Sequence, residues 1–170
     1  MTTRWTTVNR LSLLIIALAA ALALASCKAS RNGLGGSGGG GADQVRAVLS
    51  LLQESFNNED IASANALVSD LFTVDPTISS RFRVKSGNAP SDFAGFFNLF
   101  FTDNQNVQVT ITPQTVDVTG NVATATAGFI LNATYLLDIP PTAYNSDTTD
   151  IFAFSREPDG WRLVGWQKQP

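Results

Sequence analysis

Two segments carry apolar residues at the spacing of an amphipathic helix. One stripe of residues 43–57 consists of Val45, Val48, Leu49, Leu52 and Phe56. A second helix is predicted from about Asp60, with inward positions Ile61, Ala64, Leu67, Val68 and Leu71. Asp75-Pro76 ends this pattern, because the residue before a proline is kept out of the helical conformation. The pattern therefore predicts two helices, each with one buried face.

Polar and apolar residues then alternate in 81–85, which predicts a strand with Phe82 and Val84 facing inward. Arg81, Arg83 and Lys85 would share the outer face, either to meet an acidic partner or to discourage pairing at a sheet edge.

A short helix over 92–102 follows, with Ser91 as its predicted N-cap. It contains five of the 11 phenylalanines of the chain, Phe93, Phe96, Phe97, Phe100 and Phe101. At helical spacing such a cluster is typical of a core, although it could also line a ligand cavity.

The rest of the chain has the alternation of β-strands. Strands are predicted over 107–118, 122–136, 148–155 and 161–168. Thr119-Gly120-Asn121 and Pro158-Asp159-Gly160 supply turn residues, and 139–147 is predicted to be a loop. Helices followed by antiparallel hairpins predict an α+β fold, in which N-terminal helices pack on a curved, mainly antiparallel sheet.

The N-terminus has the layout of an export signal. Two arginines in residues 1–10 precede an apolar run of 15 residues, 11–25, which is shorter than the roughly 20 residues of a membrane-spanning helix. The run ends in Leu24-Ala25-Ser26-Cys27, which resembles the lipobox of bacterial lipoproteins. Cys27, the sole cysteine, is accordingly the predicted lipidation site, because its sulfur can accept a diacylglycerol group.

This pattern predicts a division of the chain into three parts. Residues 1–26 are the predicted signal peptide, and 27–41 are the lipidated cysteine with a glycine-rich tether of roughly 20 Å root-mean-square span. Residues 42–170 form the predicted domain, exported and anchored to the cell membrane or the outer membrane.

Composition narrows the chemistry of this domain. From Asp43 onward the chain has seven basic and 14 acidic residues, a net charge of −7, which disfavours nucleic acid as a partner. Histidine is absent, which disfavours catalytic pairs based on imidazole and most zinc or haem sites. We therefore expect no metal and no cofactor.

The order of elements across about 43–169 resembles the nuclear transport factor 2-like superfamily, the cystatin-like α+β cone. The likeness rests on the opening helix into Asn57-Asn58-Glu59-Asp60, the second helix ending near Asp75, the hairpin at 119–121 and the closing segment 159–166. Members of this superfamily include isomerases, cyclases, dehydratases and non-enzymatic binding domains, so the fold leaves function open. Related domains often dimerise through the sheet, which implies a possible homodimer.

The resemblance also implies candidate residues. Isomerase-like members use a tyrosine where this chain has Leu52, an aspartate base that Asp75-Pro76 resembles, and a further acid for which Asp138 and Asp150 are candidates. Asp150 is otherwise expected to be solvated, and Asp75 could equally be a turn residue. Candidates for the wall of a ligand pocket are Leu52, Phe56, Phe97, Phe101, Tyr135 and Trp166.

Three functions remain open at this point. The first is a non-catalytic module that binds a small hydrophobic ligand or an envelope protein while a lipid anchor holds it at the membrane. The alternative is an isomerase or lyase that acts on a hydrophobic small molecule with Asp75 as the base. The third is a purely structural accessory to an envelope complex.

Overall fold

A computed structural model describes residues 40–85 and 90–170. The predicted signal peptide, Cys27 and most of the predicted tether lie outside these residues. The helices are α1 (Gly41–Asn57), α2 (Ile61–Asn65), α3 (Pro76–Ser79) and α4 (Phe93–Asp103). The strands are β1 (Asn104–Thr119), β2 (Val122–Tyr135), β3 (Thr142–Glu157) and β4 (Gly160–Lys168).

The four strands form one antiparallel sheet in the order β1-β2-β3-β4. Short turns join β1 to β2 and β3 to β4, and Gly120 takes a positive φ of 62° in the first of them. The opposite end of the sheet, where Asn104, Tyr135 and Thr142 stand side by side, is called the open end below. The α+β fold predicted from the sequence is confirmed.

Helix α1 packs its predicted stripe against the sheet, and Val45, Val48, Leu49, Leu52 and Phe56 are all buried. Strand β2 meets it with alternating inward residues, of which Ala125 and Ala127 are fully buried. Small side chains at these positions allow a helix to lie close to the strands. The alternation of β2 therefore places one face of the sheet in the core, as predicted.

Polar side chains of α1 satisfy backbone groups of the edge strand β1. Val109 donates its backbone N–H to Asn57 Oδ1 at 2.6 Å, and Asn57 Nδ2 donates to the carbonyl of Val109 at 3.0 Å. Ile111 donates its N–H to Gln53 Oε1 at 2.6 Å. Two residues further on, Pro113 has no N–H to satisfy. The amide side chains of the helix thus protect this part of the edge from pairing with another chain.

The second predicted helix is shorter than expected, because the chain after Asn65 pairs with the other edge strand, β4. Ser69 donates its N–H to the carbonyl of Leu163, and Leu163 donates to the carbonyl of Leu67, both at 2.9 Å. Leu71, predicted to face inward, is 84% exposed. The prediction for Leu71 was wrong since backbone pairing replaces the helical spacing after Asn65.

Two further predictions need correction. Residues 81–85 have no regular secondary structure, although Phe82 is buried as predicted. Strand β3 begins at Thr142, so much of the predicted loop 139–147 is strand. The helix predicted from Ser91 is present as α4, with Asp92 as its N-cap through a hydrogen bond from the N–H of Gly95 at 2.7 Å.

Within residues 40–85 and 90–170, no helix has the length and apolar character needed to cross a bilayer.

Candidate functional site

Asp75, the candidate base, caps helix α3. Its Oδ1 accepts hydrogen bonds from the hydroxyl of Thr77 at 2.5 Å and from the backbone N–H of Thr77 at 2.7 Å. These bonds, the hydroxyl bond first, lower the pKa of Asp75 below its usual 3.8. A base in an apolar pocket would have a raised pKa. The environment of Asp75 is therefore that of a helix N-cap.

Most of the candidate pocket residues lie together in the core. Leu52, Phe56, Phe97 and Trp166 are each at most 2% exposed. The ring of Phe97 lies 4.8 Å from that of Phe56 and 6.1 Å from that of Trp166, measured between centroids. Phe101 is half-buried, 6.0 Å from Phe56. These side chains fill the space between α1, α4 and the sheet.

Tyr135 is the one candidate of the six that lines a cleft at the open end of the sheet. This cleft has a volume of about 410 Å³. It is lined by Ser79, Ser80, Phe82, Arg83, Val84, Phe96 and Tyr135. Aromatic rings thus meet hydroxyl groups and one guanidinium, a combination typical of small-molecule sites. A second cleft of about 470 Å³, lined by Asn106, Asn132, Tyr144, Asn145 and small neighbours, has no charged side chain.

Two aromatic rings and a carboxylate hold Arg83 at the cleft. Its guanidinium lies 4.3 Å from the ring centroid of Tyr135 and 5.7 Å from that of Tyr144. An ion pair joins its Nη1 to Asp138 at 3.0 Å. Hydrogen bonds from Thr142 and then from Arg83 lower the pKa of Asp138. Arg83 therefore presents a fixed positive charge beside the cleft, partly neutralised by Asp138.

A buried ion pair lies next to this region. Arg81 Nη1 donates to both oxygens of Asp150, at 2.9 and 2.7 Å, and to the hydroxyl of Thr148 at 2.6 Å. Asp150 also accepts from Trp166 Nε1 at 2.7 Å and from Thr148 at 2.9 Å. The side chains of Arg81 and Asp150 are 6% and 0% exposed. Both oxygens of Asp150 are thus engaged by donors within the core, and its carboxylate is the counter-ion of Arg81.

One edge of the Arg81 guanidinium has no such partner. Its Nε and Nη2 atoms are buried and make no hydrogen bond to any residue that the structure describes. The guanidinium lies 5.3 Å from the ring centroid of Phe129 and 5.9 Å from that of Trp166. A buried donor left without an acceptor costs about 1–3 kcal/mol. Among the described residues, these two atoms are the buried side-chain nitrogens without a hydrogen-bond partner.

The sequence interpretation missed this pair. Arg81 was predicted to face outward and Asp150 to be solvated, and both predictions were wrong. They fail because each charge neutralises the other, which makes burial tolerable for both. One signal was present in the sequence: in a strand, Asp150 shares a face with Phe152 and Phe154, both of which are buried.

The chain was compared with protein families, curated proteins and solved structures, and only the solved structures match. No family model and no curated protein matches the sequence. Solved structures do match, including the Kfla4162 protein of Kribbella flavida, at a TM-score of 0.60 and 15% identity over 74% of this chain and 86% of that one. A nuclear transport factor 2-like superfamily protein of Salmonella enterica matches at 0.54 and 16% identity, over 76% and 89%.

A CaMKII hub from S. rosetta also matches, at a TM-score of 0.51 and 20% identity over 78% of this chain and 98% of that one. At these identities the likeness concerns the fold alone. The chain therefore has the fold of the nuclear transport factor 2-like cones, with helices packed on a four-stranded antiparallel sheet. This fold includes ligand-binding domains as well as enzymes, so function has to be argued from the site.

Proposed function

We propose that this protein is a lipid-anchored lipoprotein whose domain, outside the cytoplasm, binds a small molecule without transforming it. The observation that carries the binding role is the cleft at the open end, where the charge of Arg83 stands beside the rings of Phe82, Phe96 and Tyr135. Asp75, the base required by a catalytic role, instead caps helix α3. A site with one fixed charge and apolar walls fits a small amphiphilic ligand.

The binding role can be tested by filling the cleft. The amphiphilic dye 1-anilinonaphthalene-8-sulfonate serves as a probe, and its fluorescence is titrated with the full chain in mild detergent below the micelle concentration. Val84→Trp places an indole in the cleft, whereas Val122→Trp adds the same side chain at the opposite end of the sheet, where Val122 is 58% exposed. We expect Val84→Trp to abolish saturable binding and Val122→Trp to retain it. Equal binding by both variants would contradict the proposal.

The anchoring role rests on Leu24-Ala25-Ser26-Cys27 and on the apolar run that precedes it. We expect bacteria that express the chain to incorporate labelled palmitate into the protein and to retain the labelled protein in the membrane fraction. Cys27→Ala should eliminate the label, because no other cysteine is available. Absence of label in the unaltered chain, while a known lipoprotein in the same cells is labelled, would refute the anchor.

Self-association is compatible with this role. Some matching structures are kinase association domains, such as that from Xanthomonas campestris with a TM-score of 0.55. The homodimer that the sequence resemblance implies stays a prediction. Sedimentation velocity of the full chain in detergent would check it. A monomer at all concentrations would contradict it, and an envelope protein as partner would need a separate experiment.

A further inference from the structure

We propose that the Nε–Nη2 edge of Arg81 is the anion-binding part of the site and that the ligand is a small organic carboxylate with an apolar body. The inference rests on the proposed binding role of the cleft and names the chemical class of its ligand. The two edges of the Arg81 guanidinium differ in their hydrogen bonds. Nη1 is fully engaged with Asp150 and Thr148, while Nε and Nη2 have no acceptor among the described residues.

The geometry of the unused edge selects the kind of anion. Nε and Nη2 present two parallel N–H groups, and this planar fork matches the two oxygens of a carboxylate. Asp150 already neutralises the charge of Arg81. A small monoanion on the free edge would therefore be held mainly by two directed hydrogen bonds.

The surroundings select the rest of the ligand. Phe129 and Trp166 flank the guanidinium, at 5.3 and 5.9 Å from their ring centroids. Phe82 lies 5.8 Å from Trp166 and 6.1 Å from Phe129, and it also lines the cleft. Phe82 thus borders both the cleft and the rings around Arg81. Arg81 does not itself line the cleft, so the proposal requires Phe82 to turn aside for the carboxylate of an acid in the cleft to reach it.

A matched pair of probes tests this assignment, namely 3-phenylpropionate and its neutral amide, 3-phenylpropionamide. Binding of each to the full chain in mild detergent is measured by isothermal titration calorimetry. We expect the unaltered protein to prefer the carboxylate by about tenfold or more, as two charge-assisted hydrogen bonds imply. Arg81→Lys keeps a cation beside Asp150 but lacks the fork, and it should lose the preference. Arg156→Lys, an exposed change at the far end of β3 from the cleft, should retain it.

A second measurement on the unaltered protein does not depend on how well Arg81→Lys folds. The Nε–H resonance of Arg81 is followed by NMR while acetate or acetamide is added. We expect acetate to shift this resonance in a saturable manner and acetamide to leave it in place. An unchanged resonance, or a carboxylate preference that survives Arg81→Lys, would overturn the assignment. If the naphthalene dye still binds the cleft in that case, the proposed function stands, whereas failure of every probe would refute both.

Discussion

At the scale of single residues, the Arg81–Asp150 pair places two opposite charges inside the core. A buried ion pair adds little net stability compared with apolar side chains, but removal of one partner leaves an uncompensated charge. We expect Asp150→Asn to lower the free energy of unfolding by about 3 kcal/mol, measured by urea denaturation. Asp147→Asn, an exposed change on the same strand, should cost less than about 0.5 kcal/mol. Equal losses in the two variants would show that Arg81 does not depend on Asp150.

Asp75 allows a prediction about pH. Its folded pKa lies below 3.8, so the stability it contributes is present above the usual carboxyl pKa and is lost as pH falls through the lowered value. We expect NMR titration of the side-chain carboxyl to place the pKa of Asp75 below 3.8, and Thr77→Ala to raise it by removal of the hydroxyl bond. A raised pKa in the unaltered protein would instead revive Asp75 as a candidate base.

These two aspartates mark the limit of inference from sequence at this scale. Asp75 precedes a proline and caps α3 through Thr77, so its role is set by residues next to it in sequence. Asp150 depends on Arg81, 69 residues away, and no local pattern predicts such a pair. Strand alternation places Asp150 on the same face as Phe152 and Phe154, which indicates only that the position faces inward. The partner that makes burial of the charge possible is visible only in the folded chain.

At the scale of elements, the contact between α1 and β1 decides how the edge of the sheet is protected. Asn57 makes two hydrogen bonds to the backbone of Val109, one as donor and one as acceptor. We expect Asn57→Ala to cost about 1 kcal/mol and to speed hydrogen exchange at the amide of Val109. Asn58→Ala, the adjacent exposed change, should leave that amide protected. Unchanged exchange in Asn57→Ala would mean that the side chain does not protect the edge.

Periodicity predicted most elements, because α1, α4 and the four strands each bury one regular face. It failed where tertiary pairing replaced local preference. Residues after Asn65 could continue as a helix by pattern alone, yet their backbone instead pairs with Leu163 at the edge of β4. Residues 81–85 alternate as a strand would, yet their side chains go to separate partners, with Arg81 at Asp150 and Arg83 at Asp138.

At the scale of the whole molecule, the aromatic core joins the helices to the sheet. Phe97 is fully buried, and its ring lies within about 5 Å of those of Phe56, Phe82 and Phe93. Phe101 belongs to the same helix but is only half-buried. From sequence, both were candidates for the wall of a ligand pocket. The structure distinguishes them by their depth, because the ring of Phe97 packs against rings of α1, of the 81–85 segment and of its own helix.

This difference leads to a prediction about stability and binding together. We expect Phe97→Ala to lower the free energy of unfolding by about 3–5 kcal/mol, because it leaves a cavity among rings that cannot close over it. Phe101→Ala should cost less than half of that, since part of its surface already faces water. Urea denaturation measures both, and dye binding to the cleft measures whether either change touches the site. If Phe97→Ala costs no more than Phe101→Ala but abolishes dye binding, then Phe97 lines a ligand cavity, and the cleft at the open end is only its entrance.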